Sequence, residues 1–172
     1  MTQTAAPRLR VLERTDLGFL HRLFNDADVM RYWFEQPHVA LATLESTFDE
    51  RLRTDTARRF VIDVDGRSVG LMELVYIDTV HRNCEFQIIV APQEQGRGYA
   101  RAATELALRY AFDTLNLHKV YLLVDTVNAA AIHVYETVGF VVEGVLREEF
   151  FVDGTYHDAT RMSVLRSEYE QR

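Results

Sequence analysis

The stretch that most restricts how this chain can fold runs from residue 86 to residue 115. Phe86 to Val90 is a strand candidate. Ala91-Pro92-Gln93-Glu94-Gln95-Gly96-Arg97-Gly98-Tyr99-Ala100 follows it, and Tyr99 to Leu115 carries Ala103, Leu106, Ala107, Tyr110 and Ala111 on one helical face. A strand that passes through a glycine loop directly into an amphipathic helix calls for a sheet with that helix packed on it. Glycines at 96 and 98 let successive backbone N–H groups turn toward one point, and the helix N-terminus adds partial positive charge. Together they form an anion site suited to a pyrophosphate, with Arg97 as a salt contact. The Lys and Ser/Thr of a Walker A loop are missing, as is the three-glycine dinucleotide spacing. On loop composition alone, a plain glycine-rich turn remains the alternative.

The other elements are read from periodicity and turn residues. Leu9 to Glu13 alternates as a short strand. Asp16 is expected to cap a helix bearing Leu17, Leu20, Leu23 and Phe24, and Ala40 to Arg53 is a second helix with Leu41, Leu44, Phe48 and Leu52 on one face. Arg59 to Val64 and Ser68 to Ile77 form a hairpin closed by Asp65-Gly66. Cys84 to Val90 ends in Ile88-Ile89-Val90, apolar on both faces, and reads as a central strand. Lys119 to Val124 is a buried strand, and Asn128 to Val138 a helix closed by Gly139 as a left-handed cap. Phe140 to Phe151 and Thr155 to Leu165 form a last hairpin around Asp153-Gly154. This order predicts a mixed sheet covered by helices.

Composition narrows the function. The 172 residues suit one domain, and no linker, repeat or low-complexity tract divides 1–172. With 48% hydrophobic and 26% charged residues the chain reads as globular and soluble, and its net charge of -7 leaves no excess of cations for phosphates, which argues against a nucleic-acid partner. No apolar run spans a bilayer, Met1 to Pro7 holds no signal core, and Cys84 is the only cysteine, so a cytoplasmic protein without a membrane partner is expected. The six histidines show no metal-ligand spacing, so no metal requirement is expected. No Gly-x-Ser-x-Gly elbow is present.

A second candidate half-site follows Val124. Asn128 is either a helix cap or a side chain that bonds a ligand between two splayed strands. Tyr135, near Ile132 and Val138 on a helix, reads from spacing as a core aromatic.

Taken together, Gln95-Gly96-Arg97-Gly98-Tyr99-Ala100 and the helix from Asn128 through Ile132-His133-Val134-Tyr135 to Gly139-Phe140 resemble the GNAT superfamily of N-acetyltransferases. Within it, Met30-Arg31-Tyr32-Trp33-Phe34-Glu35, Arg58-Arg59-Phe60-Val61, His81-Arg82, Glu85-Phe86-Gln87-Ile88-Ile89, Leu115 to Lys119, Glu148 to Phe151 and Arg161-Met162 are similar to the bacterial spermidine N-acetyltransferase family. The resemblance implies an α/β (α+β) fold with a mixed, mostly antiparallel central sheet of about seven strands, flanked by four helices and splayed to hold acetyl-CoA. It implies direct acetyl transfer to an amine, with a small-molecule polyamine acceptor and a homo-oligomer. Gln95 to Ala100 would take the pyrophosphate, and Asn128 the pantetheine arm. Gln87, Ile88 and Ile89 would contact the cosubstrate, with N–H groups near Ile88 and Ile89 for the developing oxyanion. Tyr135 would be the acid that protonates the departing thiolate, and Glu85 would hold the cationic acceptor and relay its proton. A surface carboxylate at a strand start is the plainer reading of Glu85. Glu35 and Glu73 are further candidates for the acceptor pocket.

The chain departs from that family's carboxylate-rich patch, used there for an allosteric polyamine and a divalent cation. Gln36, Val39, Thr43 and Tyr76 stand where acids are usual, and Arg51 and Arg53 replace histidines. Fewer carboxylates should weaken capture of a polycation. Acetylation of protein N-termini or of another small amine is the alternative within the superfamily. A non-catalytic acyl-CoA or polyamine sensor is the alternative outside it, and the presence of Tyr135 counts against a sensor.

Overall fold

The computed structural model describes residues 5–35 and 37–171; Gln36 lies outside the described residues. Its center is one seven-stranded sheet in the order β1-β2-β3-β4-β5-β7-β6. The strands are β1 (Arg8–Val11), β2 (Arg58–Val64), β3 (Arg67–Asp78), β4 (Asn83–Val90), β5 (Lys119–Asp125), β6 (Val141–Val152) and β7 (Thr155–Leu165). Every pairing is antiparallel except β4 with β5. The four longer helices are α1 (Leu17–Phe24), α3 (Leu41–Arg51), α4 (Tyr99–Arg109) and α5 (Ala129–Thr137); α2 (Ala27–Met30) and α6 (Arg166–Tyr169) are single turns. The expected sheet and helix order is therefore present.

Both hairpins turn as their Asp-Gly pairs require. Asp65 and Gly66 have φ of 50° and 79°, and Asp153 and Gly154 have 49° and 81°, the positive pair that matches the twist of the flanking strands. Strand alternation then divides the core in two. Ile62, Met72, Leu74, Phe86, Leu122 and Met162 pack with Ala103, Ala107, Leu108 and Phe112 under α4. On the opposite face, Leu71 and Ile89 pack with Leu17, Leu20, Leu23 and Phe24 of α1. These two faces are called here the α4 face and the α1 face.

Three local expectations are corrected. Asp16 does not cap α1: it sits in a 3-10 turn (Arg14–Asp16), where its carboxylate accepts from the Glu13 N–H at 2.9 Å and from both terminal nitrogens of Arg10 at 2.8 and 2.9 Å. The helix from Tyr99 does not run unbroken to Leu115. Residues Tyr110–Thr114 form a π turn, closed by the Leu115 N–H on Tyr110 O at 3.0 Å, and Arg166 bonds the Phe112 and Leu117 carbonyls beside it. In α3 no residue is buried: Leu41 and Leu52 face solvent, and Leu44 and Phe48 alone cover α1, so this helix is held by half of its apparent apolar stripe.

The Arg10–Asp16 pair has a consequence for stability. The hydrogen bond from Arg10 holds the Asp16 carboxyl below its ordinary value, against the cost of burial. A depressed carboxyl stabilizes the fold above the unfolded-state pKa of about 3.9 and stops doing so as pH falls through its lower folded value. Asp16→Asn should therefore be less stable than wild type in urea at pH 7, and the gap should close as the pH is lowered below about 4. An unchanged gap at low pH would contradict this.

Candidate active site

β4 and β5 pair at only three positions, Asn83 with Lys119, Cys84 with Val120 and Glu85 with Tyr121. Beyond these the strands part, β4 staying with β3 up to Val90 and β5 with β7 up to Asp125. The opening lies at the carboxyl ends of two parallel strands, where α/β sheets bind ligands.

Backbone direction on each bank follows from hydrogen bonding. The Ala91 N–H donates to Val69 O at 2.9 Å, so alternate residues Gln87 and Ile89 turn their backbone groups to β3. Phe86, Ile88 and Val90 then turn theirs toward the opening. Of the two N–H groups expected to meet a developing oxyanion, Ile88 presents one there and Ile89 does not.

The loop at the end of β4 has the form expected of an anion site. Gly96 and Gly98 have φ of 73° and 80°, and a side chain at either would be strained. Gly98 is the N-cap of α4 and supplies no capping side chain, so the first-turn amides point outward beyond it. A pyrophosphate fits this set of donors. The side chains behave differently from expectation. Tyr99 is buried in the core, so only its backbone can meet a ligand. Arg97 folds back, 3.5 Å from Glu94 and donating to the Gln93 carbonyl at 3.3 Å, while Gln95 ties its amide to Val90 O at 3.1 Å. Ala100 is half-buried.

Asn128 caps α5, its Oδ1 accepting from the Ala131 N–H at 3.2 Å. Gly139, φ 88°, closes that helix. Tyr135 packs edge-on against Phe86, with ring centroids 6.2 Å apart, and against Phe140 at 5.8 Å. Burial pushes its phenol up to about 12, so the hydroxyl keeps its proton throughout the physiological range.

Glu85 and Gln87 lie on the α1 face, opposite the face that holds Phe86 and Tyr135. Gln87 Nε2 donates to Glu85 Oε1 at 2.8 Å. Burial raises the Glu85 carboxyl, while the Gln87 amide and the charge of Arg161 pull it down. The opening therefore has a carboxylate on one side and a protonated phenol on the other.

Glu73 lies on the same face but is already committed. It is buried, with Arg59 at 2.5 Å and Arg51 at 3.9 Å, and burial pushes its carboxyl up against the pull of both cations. It borders a cavity of about 340 Å³ under α1 and α3 that Glu85 and Tyr135 do not line. Glu35 is exposed, and its charge reaches Glu73. Thus Arg51, which stands where that family has a histidine, faces an internal carboxylate. Among the described residues no group of three or more His, Cys, Asp or Glu is placed to hold a metal. No helix among them is long and apolar enough to cross a membrane.

Residues 8–141 match the Acetyltransferase (GNAT) domain family. The chain belongs to that family. It is 48% identical to the spermidine N(1)-acetyltransferase of Escherichia coli strain K12, over 98% of this chain and 91% of that protein. The crystal structure of spermidine N-acetyltransferase from Vibrio cholerae in complex with CoA and spermine superposes with a TM-score of 0.93 at 46% identity, over 96% of this chain and 98% of that one. A dodecameric structure of the Vibrio cholerae enzyme in an intermediate state superposes with a TM-score of 0.85 at 45% identity, over 95% of this chain and 96% of that one.

Proposed function

We propose that this chain is an acetyl-CoA-dependent N-acetyltransferase whose acceptor is a primary amine of a polyamine such as spermidine or spermine. The observation that carries the activity is the parted β4–β5 opening, with Glu85 on one face and the buried Tyr135 phenol on the other. The acceptor class is supported by the end-to-end similarity to spermidine acetyltransferases and by the net charge of -7. Residues 1–172 act as one N-acetyltransferase domain.

In this reading the α4 N-terminus and the Gly96–Gly98 loop bind the pyrophosphate, and Asn128 contacts the pantetheine arm. The Ile88 N–H stabilizes the developing oxyanion. An alkylammonium with a pKa near ~10.4 must lose a proton before it can attack. Glu85 holds that ammonium on the α1 face and passes its proton on through water; Glu35 adds negative charge to the approach. Tyr135 gives its proton to the departing thiolate from the α4 face. No step is assigned to a metal. The chain works as a homo-oligomer, which the dodecameric relative supports together with the exposed Val141, Val142, Val145, Phe151 and Tyr156 of β6 and β7.

CoA release from acetyl-CoA tests this against spermidine, spermine, putrescine, a lysine-rich peptide and an aminoglycoside. Turnover should be strongest on spermidine or spermine. Glu85→Gln should raise the polyamine KM and lower kcat together, by about tenfold or more in kcat/KM. Turnover on the peptide alone would move the acceptor to protein amines.

A further inference from the structure

His157 and Asp125 form a pair that the scheme above does not use. His157 Nδ1 lies 2.8 Å from Asp125 Oδ2, and Asp125 is 3% exposed. The other carboxylate oxygen accepts from the Val127 N–H at 3.0 Å, so the group is fixed from both sides. An ionized carboxylate only accepts, which sets the imidazole tautomer: Nδ1 carries the hydrogen and Nε2 carries the lone pair. Nε2 sits 3.0 Å from the Thr155 hydroxyl, which has a second acceptor in Val152 O at 3.2 Å and can turn aside. A buried carboxylate that orients an imidazole with its far nitrogen available is the arrangement of a general base.

Its position matters as much as its chemistry. Glu85 and Tyr121 are the last paired residues of β4 and β5. Three residues on along each parallel strand are Ile88 and Val124, so Asp125 stands at the level of Ile88 and Ile89. Val120, Leu122 and Val124 lie in the core under α4, so Tyr121, Leu123 and Asp125 project on the α1 face, the face of Glu85. His157 is partnered across the hairpin by Phe150, whose ring stacks on Phe34 at 3.6 Å between centroids, so the imidazole sits beside the contact joining the hairpin to the 31–35 segment.

We propose that His157, held by Asp125, is a catalytic residue that accepts the proton from the acceptor ammonium. This rests on the acetyltransferase reading and gives the Glu85 water relay its end point. Of the two protons that the nitrogen sheds, the first forms the Nε2–H bond and passes to solvent. The nitrogen lone pair bonds the acetyl carbon, the C–S bond breaks, and the thiolate takes the Tyr135 proton; the second nitrogen proton restores Tyr135. The charged groups nearest the ring along the strands are Asp125 from β5, Glu148 and Glu149 just before Phe150 on β6, and Asp158 next to it on β7, whose carboxylate accepts from the Glu148 N–H at 2.8 Å. Glu85 and Arg161 lie further down the α1 face, and the Arg31–Asp153 pair, 3.9 Å apart, lies at the tip.

The test is the pH profile of kcat/KM for spermidine in wild type and His157→Gln, with thermal melting and acetyl-CoA binding as controls. Wild type should show an ascending limb that depends on this imidazole. His157→Gln should lose that limb, turn over about 100-fold more slowly at pH 7 and recover toward wild type at alkaline pH, with acetyl-CoA binding unchanged. A variant that keeps both rate and limb would overturn the assignment. A uniform loss with the limb intact would also overturn it, leaving His157 a positioning residue. Wild type without turnover on any amine would overturn the acetyltransferase reading and this one together.

Discussion

Tyr135→Phe should turn over polyamine at least about 100-fold more slowly than wild type while binding acetyl-CoA with the same Kd. The substitution removes one oxygen and leaves the ring between Phe86 and Phe140, so packing is retained. What is lost is the proton. Because burial pushes the phenol up to about 12, wild type holds this proton at neutral pH, and the rate should show no loss from tyrosine ionization below about pH 10. Stopped-flow single turnover separates the chemical step from release. A variant that acetylates at the wild-type rate would remove Tyr135 from the mechanism and leave solvent as the donor.

The largest effect on stability is expected at Gly70→Ala. A Cβ there would lie 2.3 Å from the Ile89 carbonyl oxygen and 2.9 Å from Ile62 Cδ1. The Ile62 methyl can turn, but the Ile89 carbonyl belongs to the backbone of β4, and relief requires the two strands to separate. We expect a loss of about 3 kcal/mol and a Tm lower by roughly 6–12 °C. Activity should fall further than stability, because the displaced strand carries the Ile88 N–H. Gly144→Ala, where a Cβ meets nothing within 4 Å, is the matched control and should be close to neutral. Urea denaturation of both variants measures the difference; equal midpoints would mean that β3 and β4 yield more easily than their pairing suggests.

Features governed by near neighbors were legible in the sequence, and features that join distant residues were not. Both Asp-Gly turns, the loop before Tyr99 and the Gly139 stop are decided within a few residues, and all stand where periodicity and turn chemistry place them. The Asp16 cap failed because a more distant cation, Arg10 on a neighboring strand, outbid the helix amides for the same carboxylate. The apolar stripe of α3 overstated its burial, since spacing reports which residues share a face but not whether anything lies against it. Glu85 and Tyr135 could be named as candidates, but their placement on opposite faces of the sheet follows from strand alternation once it is assembled. Glu73 looked available in sequence because nothing marks Arg59 as its cross-strand partner. The Asp125–His157 contact spans 32 residues and two strands that meet only after the last hairpin has folded back.

The parting of β4 and β5 also bears on how the protein behaves before it meets its substrates. On one bank Ile88 faces inward, on the other Leu123, and neither has a neighboring strand across the gap to bond. A guest with its own amides, laid along this gap, would serve as a short eighth strand. Cosubstrate and scaffold would then share one hydrogen-bond ladder, and occupancy would be read out as rigidity by mass action. Amide hydrogen exchange in this part of the sheet would slow when acetyl-CoA is plentiful and quicken when it is scarce, so that the solidity of the protein would report the supply of the molecule it consumes.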